Sequence, residues 1–179
     1  MKDRKLKNLP LSIRCMPRNL VFLVFLIFMS CAGWVSAGPQ VQFGANEKPI
    51  HDAARMGSRK DVEALLKSTP AARDTRTELG ITPLHYAAMN VDSGPLKALI
   101  AAGAAVNVRD GEGRTPLHMA AFANRTESGK LLLEAGADPA LKTDAGRDVL
   151  SMARKVRADE LAGIISLWIL KGCKAGKPC

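Results

Sequence analysis

Aromatic residues are scarce in this sequence, where Phe, Trp and Tyr together make up 4% of the 179 residues. Strands of a sandwich or barrel are usually rich in aromatic and β-branched side chains, which pack well on a pleated surface. Alanine is common instead, and its small side chain allows short helices to approach each other closely. The composition therefore argues against an all-β fold and favours a helical one.

The sequence also lacks the short motifs of common catalytic sites. It contains no Gly-x-Ser-x-Gly, no His-Glu-x-x-His and no phosphate-binding loop, and Gly111 and Gly113 match only a fragment of a dinucleotide-binding motif. No nucleophile stands beside a candidate acid and base. We therefore expect no enzymatic activity, no cofactor and no metal site, with a hydrolase as the rival class.

Long apolar runs are nearly absent, and the one unbroken example lies at residues 20–29. Basic residues precede it, and Val35-Ser36-Ala37 follows as a small-residue cleavage site. This order predicts a secretory signal peptide at residues 1–37, cleaved after Ala37, with a linker at 38–45. The mature protein is then expected to be periplasmic or secreted.

Two other interpretations of the N-terminus stay open. Residues 20–37 are near the lower length for a membrane anchor, and the basic residues before them would place the rest of the chain outside the cytoplasm. Lipidation at Cys31 is the second alternative, although Phe28 and Met29 fit that pattern poorly. All three interpretations export residues 38–179.

Cysteine is rare, with four in the chain, and Cys15 and Cys31 fall within the predicted signal peptide. Cys173 and Cys179 lie in a basic tail at residues 171–179. Two cysteines in an oxidising compartment can form a disulfide. A metal site is the weaker interpretation, because no histidine or third cysteine accompanies them.

The formal net charge of +9 does not indicate a nucleic-acid partner. Six of the 26 basic residues but one of the 17 acidic residues precede Gly38. The remainder is mildly basic, with both signs well mixed. We therefore expect neither nucleic-acid binding nor membrane binding once the signal peptide is removed.

An internal repeat with an offset of 33 residues runs through the rest of the chain. Residues 80–88, Gly-Ile-Thr-Pro-Leu-His-Tyr-Ala-Ala, recur at 113–121 as Gly-Arg-Thr-Pro-Leu-His-Met-Ala-Ala. Residues 99–104 recur at 132–137 with the same offset. Weaker copies flank these two units on either side. Self-similarity at this period is typical of a repeat architecture.

The Thr-Pro-Leu-His-x-Ala segments resemble those of the ankyrin-repeat family. With its predicted export signal, the chain is similar to small exported bacterial members of that family. The resemblance implies an all-α solenoid of about four helix-turn-helix units with degenerate terminal caps, over residues 46–170. The expected units are about residues 46–76, 77–109, 110–142 and 143–170.

Local chemistry agrees with this fold. Thr82 and Thr115 are predicted N-caps, each followed by a proline in the first helical turn. Gly103 and Gly136 are predicted left-handed residues after the second helices. Pro95 must lie at or before the start of its helix, so we expect that helix to be short and displaced.

Three histidines occupy equivalent positions: His51, His85 and His118. A row of metal ligands is one interpretation, but stacked units lie roughly 10 Å apart and metal–nitrogen bonds are about 2 Å long. The family resemblance implies a structural role, in which each imidazole bonds to the neighbouring turn.

The resemblance also implies that a protein partner binds the concave surface of finger turns and first helices. Mapped through the repeat, that surface comprises Arg55, Met56, Glu78, Leu79, Ile81, Met89, Asn90, Arg109, Glu112, Arg114, Phe122 and Lys142. These side chains form an apolar centre within a charged rim, as protein interfaces commonly do.

The last expected helix contains the run Leu161 to Leu170, which is apolar on more than one face. Leu167, Trp168 and Ile169 are therefore candidates for a homodimer seam or a second contact patch. The function we expect is partner binding outside the cytoplasm, in support of an envelope stress-defence enzyme. An inhibitor or immunity protein, or a host-directed effector, are the alternatives.

Overall fold

A computed structural model describes residues 48–173 of the chain. The predicted signal peptide, the linker at 38–45 and residues 174–179 lie outside the described residues. The helices within them are α1 (Pro49–Met56), α2 (Arg59–Ser68), a 3₁₀ helix (Pro70–Asp74), α3 (Pro83–Met89), α4 (Gly94–Ala101), α5 (Pro116–Phe122), α6 (Thr126–Glu134), α7 (Val149–Lys155) and α8 (Asp159–Leu170).

These helices form four consecutive pairs that stack side by side. The first helices pack in series, α1 on α3, α3 on α5 and α5 on α7, while α2 packs on α4 and α6 on α8. Residues 48–173 contain no strand, and Lys142 and Asp148 form one isolated antiparallel bridge. The expected all-α solenoid of helix pairs is therefore confirmed.

Small side chains at equivalent positions allow this close stacking. Ala54, Ala87, Ala120 and Ala153 recur every 33 residues, one in each first helix, and all are completely buried. Leucine and isoleucine at matching positions of the second helices complete the core. Interiors packed to the density of organic crystals leave little room for larger side chains at such contacts.

The N-caps and closing glycines predicted from the sequence are present in the structure. Thr82 and Thr115 are the N-cap residues of α3 and α5 in extended conformation, with proline next. Gly103 and Gly136 have φ of +78° and +96°, and Gly103 N donates to Ile100 O at 2.9 Å. Both glycines therefore close a second helix in the left-handed conformation that only glycine adopts readily.

The joint between α3 and α4 also agrees with expectation. The helix α4 begins at Gly94, and Pro95 lies in its first turn. Proline is tolerated there because backbone N–H groups of the first turn have no acceptor within the helix. Helix α4 has eight residues, two fewer than α2. The 3₁₀ helix between α2 and the next unit was not predicted from the sequence.

Candidate protein-binding surface

Three finger turns lie between successive helix pairs, at residues 77–81, 110–114 and 143–147. In each turn the amide of the first residue donates to the carbonyl oxygen of the last, at 3.0, 2.9 and 2.9 Å. The fourth residue is always glycine, with φ of +73°, +74° and +73°. Neighbouring fingers are also joined, because Gly111 N donates to Leu79 O at 2.8 Å and the next pair of fingers makes the same bond at 3.1 Å.

The three histidines connect each first helix to a turn. In His51, His85 and His118, Nδ1 accepts a hydrogen bond from the N-cap amide three residues earlier, at 3.0, 3.2 and 3.2 Å. Nε2 of His85 and of His118 lies 3.0 and 3.3 Å from the carbonyl oxygen that ends the next finger. His51 instead bonds to Thr75 O at 3.2 Å, after the 3₁₀ helix. The predicted structural role is confirmed.

These partners determine the tautomer of the imidazoles. A backbone amide can only donate and a carbonyl can only accept, so Nδ1 bears the lone pair and Nε2 bears the proton. The neutral ring satisfies both contacts, whereas a second proton on Nδ1 would face an N–H group. Burial, which outweighs the hydrogen bond to the finger carbonyl, lowers the pKa of both His85 and His118.

Asp110 organises the middle finger from inside. Its Oδ1 accepts hydrogen bonds from the amides of Glu112 at 2.9 Å and Arg114 at 2.8 Å, and its Oδ2 accepts from Arg114 Nε at 2.8 Å. Burial raises the pKa of Asp110, but these hydrogen bonds outweigh it and hold the pKa below the usual 3.8. Asp110 is 7% exposed, so its carboxylate lies inside the finger rather than on the surface.

Most residues predicted to bind a partner lie at the surface. The exposed ones are Met56, Glu78, Leu79, Arg109, Glu112, Phe122 and Lys142, and the half-buried ones are Arg55, Met89, Asn90 and Arg114. Ile81 is different, because it is 7% exposed and therefore buried. The prediction that Ile81 belongs to the binding surface is therefore wrong. The repeat register gives the position of the backbone, but it does not say whether an aliphatic side chain there is exposed or buried.

Two of these residues already bind neighbouring parts of the chain. Asn90 Nδ2 donates to Ala54 O at 3.1 Å, which fastens the end of α3 to the preceding unit. Arg109 Nη2 lies 2.7 Å from Asp144 Oδ1 in the next finger, with both side chains about half exposed. A surface ion pair of this kind contributes about 0–1 kcal/mol, so Arg109 remains available to a partner.

A pocket of about 130 Å³ opens between the third and fourth units on this surface. Its lining combines finger residues with residues of α5, of α7 and of the C-cap of α7: Glu112, Arg114, Met119, Phe122, Arg147, Met152, Lys155 and Val156. Five of these eight were missed by the sequence analysis. The repeat offset could have found two of them, since Arg147 and Lys155 lie 33 positions after the predicted Arg114 and Phe122.

The outer face of α8 is apolar, as the sequence indicated. Leu167 and Ile169 are 57% and 51% exposed, while Trp168 is half-buried and packs against the core. Cys173 is disulfide-bonded. Its predicted partner, Cys179, lies outside the described residues, and the Cys173–Cys179 pairing stays a prediction.

Comparison with known proteins gives one family. The family model for ankyrin repeats, in three copies, matches residues 50–143, more than half of the chain. No curated protein matches the chain. Within residues 48–173, no group of three or more His, Cys, Asp or Glu side chains is placed to hold a metal ion. No helix in that range is long and apolar enough to cross a bilayer.

Proposed function

Because this chain belongs to the ankyrin-repeat family, we propose that it is an exported binding module that holds a protein partner on its finger and first-helix surface. Ankyrin repeats are protein–protein interaction modules, which gives the general function. The observation that carries the choice of surface is the exposure of Leu79, Met56 and Phe122 on fingers and first-helix ends, beside charged side chains. Large exposed apolar residues with a polar rim are typical of interaction sites.

The proposed activity is binding without catalysis. All three histidines among the described residues use both ring nitrogens in hydrogen bonds to the backbone. A general base must offer a free lone pair to its substrate. This supports a role in which the rigid stack, rather than a reactive group, performs the function.

We propose that binding takes place outside the cytoplasm and that the partner is an envelope stress-defence enzyme. The basic segment, the apolar run at 20–29 and the small residues at 35–37 support export, whereas the class of partner rests on the resemblance to small exported bacterial ankyrin-repeat proteins. A reporter enzyme active only after export, fused to residues 1–45, tests the location. Activity is expected, and retention of the fusion in the cytosol would contradict it.

Partner capture tests the surface. The full chain is cross-linked in the envelope fraction, and Leu79→Ala and Phe122→Ala are compared with Val91→Ala, a matched control. Val91 is 81% exposed at the α3–α4 joint, so its loss removes a similar apolar group away from the fingers. We expect the first two variants to lose the partner and the control to retain it. Loss with Leu167→Glu alone would assign binding to α8 instead.

A further inference from the structure

The pocket between the third and fourth units has an apolar floor of limited size. Met119 and Met152 are 7% and 6% exposed, and Phe122 forms one wall. Its volume of about 130 Å³ is well below the roughly 300–1,000 Å³ of small-molecule sites. A cavity of this size suits a single apolar side chain, and methionine side chains adapt readily to the shape of such a guest.

The rim of the pocket carries an unbalanced positive charge. Arg114 is paired with Asp110 at 2.8 Å and with Glu112 at 3.2 Å, so these three groups together carry a net charge of −1, against +2 from the other two basic residues of the lining. Arg147 and Lys155 line the same pocket, and neither has an ion pair with any residue from 48 to 173. Two unpaired cations beside an apolar hole favour a guest with carboxylates next to an apolar group.

From this combination we propose that the pocket takes one aliphatic or aromatic side chain from an acidic segment of the partner, whose flanking carboxylates meet Arg147 and Lys155. The proposal rests on the binding function above and specifies the chemistry of the partner. Apolar burial supplies affinity, while the two cations select the segment by charge and increase its rate of association.

Fluorescence anisotropy with the full chain tests this chemistry. The probe is a labelled nonapeptide with a central leucine flanked by aspartate and glutamate. One control peptide has every acid replaced by its amide, and a second has alanine in place of leucine. We expect the probe to bind more tightly than either control, and its affinity to fall as salt rises from about 50 to 500 mM, because screening weakens exposed charge pairs.

Protein variants assign the binding to this pocket. Arg147→Glu and Lys155→Glu should each weaken probe binding about tenfold, since reversal replaces an attraction by a repulsion. Phe122→Ala should weaken it as well. Arg154→Glu is the matched control, because Arg154 is exposed on α7 beside Lys155 but does not line the pocket. This variant should bind the probe as the unmodified protein does. Unchanged circular dichroism shows that the variants are folded.

The outcomes separate this proposal from the binding function itself. Equal binding of the acidic and amide peptides, or equal loss with Arg154→Glu, would overturn the assigned chemistry. The assigned chemistry would also be wrong if no peptide binds although Phe122→Ala loses the cross-linked partner. The proposed binding function would be unaffected by that result. If neither Leu79→Ala nor Phe122→Ala affects partner capture, the proposed binding surface itself is wrong.

Discussion

At the scale of single residues, buried polar side chains connect one unit to the next. The imidazole of His85 spans the N-cap of its own helix and the end of the following finger. Such contacts stabilise the fold only if every buried polar atom has a hydrogen-bond partner, because an unpaired one costs about 1–3 kcal/mol. The Thr-Pro-Leu-His segment therefore encodes a joint between units as well as the start of a helix.

The histidine joints predict a loss of stability in mild acid. In the unfolded chain His85 and His118 titrate near the usual pKa of 6.5, whereas burial lowers their pKa in the folded chain. Between those values the unfolded chain binds more protons, so acid favours unfolding. The stability that the two neutral imidazoles contribute is fully present above a pH of about 6.5, and it is lost as the pH falls towards and through their pKa in the folded chain. Urea denaturation at successive pH values measures it.

The control for this prediction is the double variant His85→Gln with His118→Gln. It should be less stable than the unmodified protein at neutral pH but should lose most of the fall in stability in the window below a pH of about 6.5. A free energy of unfolding that stays flat for the unmodified protein across this window would contradict the neutral-imidazole assignment.

Asn107 gives a second residue-scale prediction. Its Nδ2 donates to Gly136 O at 3.0 Å and its Oδ1 accepts from Asp138 N at 2.9 Å, which ties two units together. Asn107→Ala should lower the free energy of unfolding by about 1–2 kcal/mol in chemical denaturation.

Asn107→Asp is the matched comparison for that variant. Asp74 lies 33 positions earlier and accepts from Ala105 N at 3.0 Å, so an aspartate can make the acceptor half of this joint. The Asp variant should therefore lose less stability than the Ala variant. Equal losses would show that the donor bond to Gly136 supplies the whole effect.

At the scale of the helices, glycine has opposite effects in α6 and α8. A Cβ added at Gly129 in α6 would lie 2.4 Å from Leu161 Cδ1, whereas one at Gly163 in α8 would meet nothing within 4 Å. Overpacking costs about 1–3 kcal/mol and exceeds the gain of about 1 kcal/mol from helix propensity. Gly129→Ala should therefore lower the melting temperature and Gly163→Ala should raise it. A rise in both would mean that Leu161 moves aside freely.

The sequence predicts elements better than it predicts surfaces. Helix starts at Thr82 and Thr115 and ends before Gly103 and Gly136 were foreseen, because capping is decided by a few neighbouring residues. The burial of Ile81 was not, since the repeat register gives the position of its backbone but not the exposure of its side chain. The pocket was missed because the predicted binding residues were not carried into the fourth unit, although that unit keeps the 33-residue register.

At the scale of the molecule, each unit contacts chiefly its neighbours, as the successive packing of α1, α3, α5 and α7 indicates. The stability of such a stack is approximately a sum of unit stabilities and of terms for neighbouring contacts. An end unit has a neighbour on one side only. Damage at an end is therefore expected to stay local, whereas damage in the middle spreads to both sides.

Two buried side chains test this difference. Ile165 in α8 and Leu117 in α5 are both completely buried, and truncation of either to Ala should cost about 2–5 kcal/mol. Hydrogen exchange followed by mass spectrometry should show Ile165→Ala opening residues 149–170 while α3 and α5 keep their protection, whereas Leu117→Ala should reduce protection throughout. If Ile165→Ala also exposed α3 and α5, the stack would unfold as one cooperative body. The pocket beside α7 would then be as rigid as the centre.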